Sequence, residues 1–142
     1  MVELFYLPLK VSDAEPTSRT KNTTTGFDQD LTLALSWLDS HETARYQRFK
    51  HLPSQQCYLQ ARRIAKEVLA EKLACQPQEI SFSYNDTEKP FLANSDAWHF
   101  NISHCHSAVV VAVAPFEVGV DVENVSRCKQ VISHAEDFLN PV

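Results

Sequence analysis

The sequence predicts an α+β fold in which a mostly antiparallel sheet packs against one long helix. Two patterns predict this class. Apolar residues recur at three-to-four spacing between Cys57 and Leu73, which is typical of an amphipathic helix. Beyond Pro77 the apolar period falls to two, which is typical of strands that bury one face. The chain has 142 residues, of which 44% are hydrophobic, so it is long enough to bury the core of such a domain.

The elements before the long helix are short. Residues Val2–Leu9 mix apolar and β-prone residues and predict an opening strand. Residues 10–28 are rich in Ser, Thr, Asp and Asn and predict a mobile loop. Apolar residues within 31–38 then predict a short helix. Asp39 or Ser40 is expected to cap the short helix that follows.

The long helix is expected to begin after Pro53, with Ser54 as its N-cap, and to extend to about Leu73. Three basic residues lie on its polar flank: Arg62, Arg63 and Lys66. A basic flank of this kind is typical of a solvated helix face.

The strands of the second half follow in order. The expected elements are a strand on Ile80–Tyr84, a turn on Asn85–Lys89, a strand on Trp98–Ser103, a central strand on Val109–Ala114, a turn on Pro115–Glu117, a strand on Val118–Glu123 and a helix on Lys129–Leu139. The run on Val109–Ala114 is continuously apolar, which indicates a strand covered on both faces.

The bulk composition excludes several classes of protein. The net charge of −5 argues against a nucleic-acid binder, which would need a basic surface. The four cysteines are far apart in sequence and form no metal-binding spacing, which indicates reduced thiols. The N-terminal residues lack the basic region of a signal peptide, and the longest apolar run is too short to span a bilayer. We therefore expect a cytoplasmic protein.

The strongest chemical signal is the pair Asp121 and Glu123. Residues two apart on a strand project from one face, so both carboxylates would lie together while Val120 and Val122 face the core. Two like charges at that distance favour a cation between them, and Mg²⁺ prefers such oxygen ligands. The alternative is a strand end with two solvated carboxylates.

A second cluster of polar residues ends the preceding strand, at Asn101, Ser103 and His104. Short polar side chains at a strand end can bind an anion, and a histidine can donate to phosphate or transfer a proton. One alternative is a turn in which His104 donates to a backbone carbonyl. A zinc site with Cys105 and His106 would need further ligands at a set spacing, which the sequence lacks.

Together these motifs resemble those of surfactin-type phosphopantetheinyl transferases. Residues Phe100–His104, followed by Val118–Glu123, are similar to the family's Phe-Asn-Ile-Ser-His-Ser and Gly-Ile-Asp-Ile-Glu signature. Three upstream segments also resemble the family, namely its Lys-Pro turn, its basic helix and the start of its long helix: Lys89–Leu92, Arg45–Phe49 and Tyr58–Arg62. Since order and spacing agree along nearly the whole chain, we expect residues 1–142 to form a single N-terminal lobe of this family.

The resemblance implies an enzyme that transfers the 4′-phosphopantetheine arm of coenzyme A to a Ser of an apo acyl or peptidyl carrier protein. It implies that Asp121 and Glu123 bind Mg²⁺ and that both serve catalysis together with His104. The residues that it implies for coenzyme A binding are Arg45, Arg48, Arg62, Lys89, Pro90, Ser103 and His104. Cationic donors and a divalent metal suit so anionic a ligand.

The sequence also departs from the family pattern. Glu88 stands where the family has a Gly, Cys105 replaces a Ser, and Gln56 with Cys57 replaces a frequent Arg. The family's second lobe carries a Trp-x-x-Lys-Glu-Ala helix that completes the metal site, and no such motif follows Glu123.

Three interpretations stay open from the sequence alone. The chain is a catalytically incomplete lobe or fragment, or an enzyme that takes the missing groups from a second copy or a second-lobe partner chain. In the third interpretation it is a non-catalytic domain that binds coenzyme A or a carrier protein. An exposed lobe interface would appear as an apolar patch and would predict self-association.

Overall fold

The computed structural model of the chain describes residues 1–9 and 27–125. The described elements are β1 (Glu3–Pro8), α1 (Phe27–Ser36), α2 (Ser40–Arg48), α3 (Leu52–Leu73), a 3-10 turn (Pro77–Glu79), β2 (Phe82–Tyr84), β3 (Pro90–Leu92), β4 (His99–Cys105) and β5 (Ala108–Ala114). Helices and antiparallel ladders therefore share one lobe, and the predicted α+β class is confirmed.

Strand β5 lies between β1 and β4 and pairs antiparallel with both. Val111 lies opposite Phe5 in one ladder and opposite Ile102 in the other. Every residue of β5 is buried, as predicted for a central strand. Strands β2 and β3 form a separate antiparallel hairpin.

The core lies between this sheet and α3. Val109, Val111 and Val113 alternate along β5 and join the apolar stripe of α3 in one buried cluster. The other buried members of the cluster are Cys57, Ala61, Ile64, Ala65, Val68, Leu69, Ala70, Ile80, Phe82, Leu92 and Phe100. Each large apolar side chain that is fully buried in this way stabilises the fold by about 1.5–3 kcal/mol.

The limits of α3 differ slightly from the prediction. The helix begins at Leu52 with His51 at the N-cap, so the predicted cap at Ser54 is wrong. Pro53 explains the shift, because a proline is tolerated in the first turn and lets the helix start before it. The helix ends where Ala74 adopts a left-handed conformation at φ 53° and donates its N–H to Ala70 O.

The basic flank of α3 is not a solvated face as a whole, which corrects the prediction. Arg62 and Lys66 are buried, and only Arg63 remains partly exposed, where it pairs with Glu67 at 3.0 Å. Burial of two cations requires a counterion from elsewhere in the fold. That counterion comes from α2.

Helix α2 starts with a reciprocal capping box. The Asp39 side chain accepts from the Glu42 N–H at 2.8 Å, and the Asp39 N–H donates to Glu42 Oε2 at 3.0 Å. The predicted cap at Asp39 is confirmed. The same box fixes the Glu42 carboxylate, which has no exposed surface, against α3.

The segment Val118–Glu123, called the acidic segment below, is not a strand, and that prediction is wrong. Its backbone is tied to β4 by side chains: Val120 N–H donates to Asn101 Oδ1 at 2.9 Å, and Val122 N–H donates to Ser103 Oγ at 3.0 Å. Both partners advance by two residues in the same direction, so the segment runs parallel to β4. Side chains thus replace the ladder that a strand would form.

The remaining predicted boundaries are partly outside the described residues. Helix α1 begins at Phe27, slightly before the predicted end of the loop at Asp28. The rest of that loop and the helix predicted at Lys129–Leu139 lie outside the described residues. Within residues 1–9 and 27–125, no helix has both the length and the apolar character needed to cross a membrane.

Candidate active site

The end of β4 holds the acidic segment in place through one hydroxyl. Ser103 Oγ accepts from the Val122 N–H and donates to Asp121 Oδ1 at 3.0 Å. A serine hydroxyl can donate one hydrogen bond while it accepts another, so both contacts form at once. Ser103 therefore fixes the backbone of the acidic segment and one of its carboxylates together.

The two carboxylates lie on the exposed side of this segment. Asp121 and Glu123 are exposed, whereas Val120 and Val122 are half-buried, so the predicted alternation holds without a strand. The negative charge of Glu123 acts on the Cys105 thiol, which places Glu123 near the end of β4. The structure thus brings both acidic residues to Ser103 and its neighbours.

This donor set fits Mg²⁺ in one particular way. Two carboxylates are enough for a magnesium ion that takes its other ligands from water and phosphate oxygens. Among the described residues, no group of three or more His, Cys, Asp or Glu side chains is arranged to enclose a metal ion. An all-protein metal cage is therefore not formed by this part of the chain.

His104 lies on the other face of β4. Phe100 and Ile102 point from β4 into the core beside α3, and alternation puts His104 on the same side as them. Desolvation lowers the pKa of the His104 imidazole, and the positive charge of Arg62 lowers it further. The fold therefore favours the neutral form of the exposed His104 imidazole, which has one ring nitrogen able to donate a hydrogen bond.

A second group of predicted residues gathers at the turn between β2 and β3. Arg45, exposed on α2, pairs with Glu88 Oε2 at 3.3 Å, which brings α2 to the turn that carries Lys89. Lys89 and Pro90 line a cavity of about 280 Å³, together with Trp98. Arg48 is exposed at the last residue of α2.

This cavity is separate from the end of β4. Of the described residues, its lining includes His99 at the start of β4 but neither Ser103 nor Asp121. Four residues of strand span about 13 Å, and Val118, the first residue of the acidic segment, lines the cavity, so the segment runs along β4 from the cavity to Ser103. The predicted ligand residues therefore form two groups, which a long ligand would have to connect.

Arg62 lies between these two groups, inside the protein. Its guanidinium carbon is 4.9 Å from the centre of the Tyr58 ring and 6.0 Å from that of Tyr84, which ends β2, and its charge reaches His104. Its side chain is only 9% exposed, and Nε lies 3.7 Å from Glu42 Oε1. The predicted contact of Arg62 with coenzyme A stays a prediction, and the guanidinium lies below the protein surface.

Glu42, Arg62 and Lys66 form a buried charge cluster that sequence reasoning missed. Lys66 Nζ donates to Glu42 Oε2 at 2.7 Å and to Trp37 O at 2.6 Å. One carboxylate thus neutralises only one of two buried cations. The helical pattern carried no signal for this cluster, because it placed Lys66 on the polar flank of α3 and did not identify Glu42 as a partner.

Asn101 was noted in the sequence only as part of the polar cluster, and the structure gives it a definite place. Its side chain anchors the acidic segment at Val120. The signal for this role was the alternation that puts Asn101 and Ser103 on one face of β4.

This combination of fold and site defines a phosphopantetheinyl transferase N-terminal lobe, and comparison with known proteins agrees. The family model described as 4′-phosphopantetheinyl transferase, N-terminal, matches residues 25–116, which is more than half of the chain. The chain belongs to this family, and the resemblance drawn from the sequence motifs is confirmed.

Individual relatives carry the same name. The chain is 27% identical over 114 residues to the 4′-phosphopantetheinyl transferase of Bacillus subtilis, an alignment that covers 80% of the chain and 49% of the relative. It is 29% identical over 97 residues to the enzyme psf-1 of Bacillus pumilus, covering 68% and 41%. A candidate 4′-phosphopantetheinyl transferase of Synechocystis is 29% identical over 108 residues, covering 73% and 44%. The chain therefore matches less than half the length of each of these relatives.

Proposed function

We propose that this chain supplies the coenzyme A and metal half of an enzyme that modifies carrier proteins in the cytoplasm. In this proposal residues 1–142 form one N-terminal lobe, and the enzyme transfers 4′-phosphopantetheine from coenzyme A to a Ser of an apo acyl or peptidyl carrier protein. The observation that carries the proposal is the contact of Ser103 with Asp121, which joins the family's two signature motifs in one site.

Asp121 and Glu123 would hold Mg²⁺, since both carboxylates are exposed on the same side of the acidic segment. When bound, the metal would neutralise charge on the diphosphate oxygens of coenzyme A. The hydrogen bond from Ser103 restricts the rotation of the Asp121 carboxylate and so keeps it oriented for this role.

The remaining residues would bind and orient the ligand. Arg45, with Arg48 beside it on α2, would contact the 3′-phosphate, and Lys89 with Pro90 would line the nucleotide end. His104 would donate to a phosphate oxygen near the reacting phosphorus. The carrier Ser oxygen forms the new bond to phosphorus, its proton leaves to solvent or a base, and adenosine 3′,5′-bisphosphate departs with the electron pair of the broken bond. Fixed donors stabilise the charge that develops on the phosphoryl oxygens.

The alternative is a lobe that binds coenzyme A or a carrier protein without catalysing transfer. One observation favours it: among the described residues, no third His, Cys, Asp or Glu side chain is arranged with Asp121 and Glu123 to enclose a metal ion. A second copy or a second-lobe partner chain could complete the site. Leu4 and Tyr6, each 65% exposed on the outer face of β1, provide apolar surface for such an association.

One experiment separates these functions. The purified chain is mixed with coenzyme A, Mg²⁺ and an apo carrier protein, and the carrier is weighed by mass spectrometry, while coenzyme A binding is measured by calorimetry with and without EDTA. Active enzyme adds the phosphopantetheine mass to the carrier. Asp121→Asn should abolish that gain, whereas Glu71→Gln, an equal change of charge on exposed surface of α3, should not.

The outcomes differ for each interpretation. Magnesium-dependent binding of coenzyme A without any mass gain supports the non-catalytic lobe. Absence of coenzyme A binding by the wild-type chain contradicts the enzyme and the coenzyme A-binding lobe, and leaves only a lobe that binds a carrier protein.

A further inference from the structure

Glu88 occupies a backbone conformation that suits a glycine. Its φ is 61°, in the left-handed region that residues with a Cβ adopt at a cost of about 1 kcal/mol. The turn around it is tightly fixed: the Glu88 N–H donates to Asn85 O at 3.0 Å, and the Lys89 N–H donates to Asn85 Oδ1 at 2.9 Å. The direction in which the Glu88 side chain leaves the turn is therefore set by the backbone.

That side chain points to Arg45. Glu88 Oε2 lies 3.3 Å from Arg45 Nη1, and the two side chains are 64% and 45% exposed. An ion pair with this exposure contributes little to stability, and it does not offset the backbone strain with a large gain. The main effect of this ion pair is on Arg45, because Nη1 of its guanidinium already contacts a carboxylate.

We propose that Glu88 determines ligand specificity at the site that Arg45 and Lys89 form. It lowers the preference of this site for coenzyme A, which carries a 3′-phosphate, over 3′-dephospho-coenzyme A. The proposal rests on the proposed function, in which Arg45 contacts that phosphate. A phosphate entering here must displace the carboxylate from Arg45 and remain near its negative charge. A ligand with a 3′-hydroxyl, 3′-dephospho-coenzyme A, meets no such repulsion.

The size of the effect follows from charge. One unit charge at about 4 Å in a water-like medium changes affinity about fivefold, and a phosphate carries nearly two charges. Salt reduces the effect, because both groups are exposed. We therefore expect that removal of the Glu88 charge raises affinity for coenzyme A about tenfold at 0.15 M salt and changes affinity for the dephospho form less than twofold.

The test measures dissociation constants of both ligands by calorimetry with the full chain and Mg²⁺. Glu88→Gln removes the charge and retains the shape, whereas Glu88→Gly also removes the backbone strain. Asp86→Asn is the matched control, an equal change of charge on the same turn. The effect of Glu88→Gln should become smaller when Arg45→Gln is present, because the competition for Arg45 is then lost while the repulsion of the phosphate by Glu88 remains.

Two results would overturn the proposal in distinguishable ways. If both ligands bind but Glu88→Gln leaves the ratio of their affinities within twofold of wild type, this inference is wrong and the proposed function stands. If neither ligand binds to any variant, the proposed function is wrong and the inference fails with it.

Discussion

The buried charge cluster makes a sharp prediction about stability. Glu42→Gln removes the carboxylate and leaves Lys66 and Arg62, which are 1% and 7% exposed as whole residues, as two buried cations without a counterion. Breaking a buried ion pair by removal of one partner costs about 3–5 kcal/mol. Because two cations lose the same partner, we expect the upper part of that range, about 4–5 kcal/mol.

The substitution Lys66→Met should lower the free energy of unfolding less than Glu42→Gln does. Lys66→Met removes one of the two cations, and the Glu42 carboxylate keeps Arg62 at 3.7 Å and the Asp39 N–H at 3.0 Å. The double variant Glu42→Gln with Lys66→Met should therefore be more stable than Glu42→Gln alone. Glu67→Gln is the control, since it breaks an exposed pair on the same helix and should cost less than about 1 kcal/mol.

Urea unfolding followed by tryptophan fluorescence measures these differences. With a slope of about 2 kcal/mol per molar urea, Glu42→Gln should lower the midpoint by about 2 M. The reasoning is refuted if Glu42→Gln stays within about 1 kcal/mol of the wild type, or if the double variant is less stable than Glu42→Gln alone.

Further predictions concern the end of β4. Ser103→Ala removes both hydrogen bonds that this residue makes to the acidic segment, so it should weaken magnesium-dependent coenzyme A binding about tenfold and lower stability by about 1–2 kcal/mol, measured by calorimetry and urea unfolding; unchanged binding would contradict the role given to this hydroxyl. The pKa of His104 is lower in the folded chain than in the unfolded chain, so the unfolded state binds more protons and stability should fall as pH drops below about 6.5. His104→Gln should flatten that dependence below about pH 6.5 in urea midpoints, and an equally steep curve would refute the assignment. Burial raises the pKa of the Cys57 thiol to about 11, whereas the hydrogen bond with Ser107 lowers the pKa of Cys105. Iodoacetamide at pH 8 should therefore alkylate Cys105 well before Cys57, as peptide mass spectrometry can determine, and equal rates would contradict the burial of Cys57.

The sequence predicted those features that depend on periodicity. The stripe on α3 and the continuous apolar run of β5 identified the two layers of the core, because burial imposes the period directly. The alternation around Asp121 and Glu123 predicted that the two carboxylates share one side, and in the structure both residues are exposed while Val120 and Val122 are half-buried.

Features that depend on the identity of a hydrogen-bond partner were not predictable in this way. The acidic segment has the alternation of a strand, but an extended chain that lies against a sheet alternates in the same manner whether its N–H groups meet carbonyls or side chains. Likewise, the burial of Lys66 depends on Glu42, which is 24 residues away in sequence and on another helix. Glu88 was visible as a departure from the family, but its pairing with Arg45 required the structure.

The placement of Ser103 and His104 on opposite faces of β4 limits the shape of any molecule that touches both. Adjacent residues of one strand point about 180° apart, so such a molecule must curve around the backbone of the strand. A flat, stiff heterocycle cannot do this, whereas a chain of single bonds through two phosphorus atoms can bend around it. A flexible ligand could therefore contact Ser103 and His104 at the same time. A rigid analogue of equal charge should contact only one of these two residues.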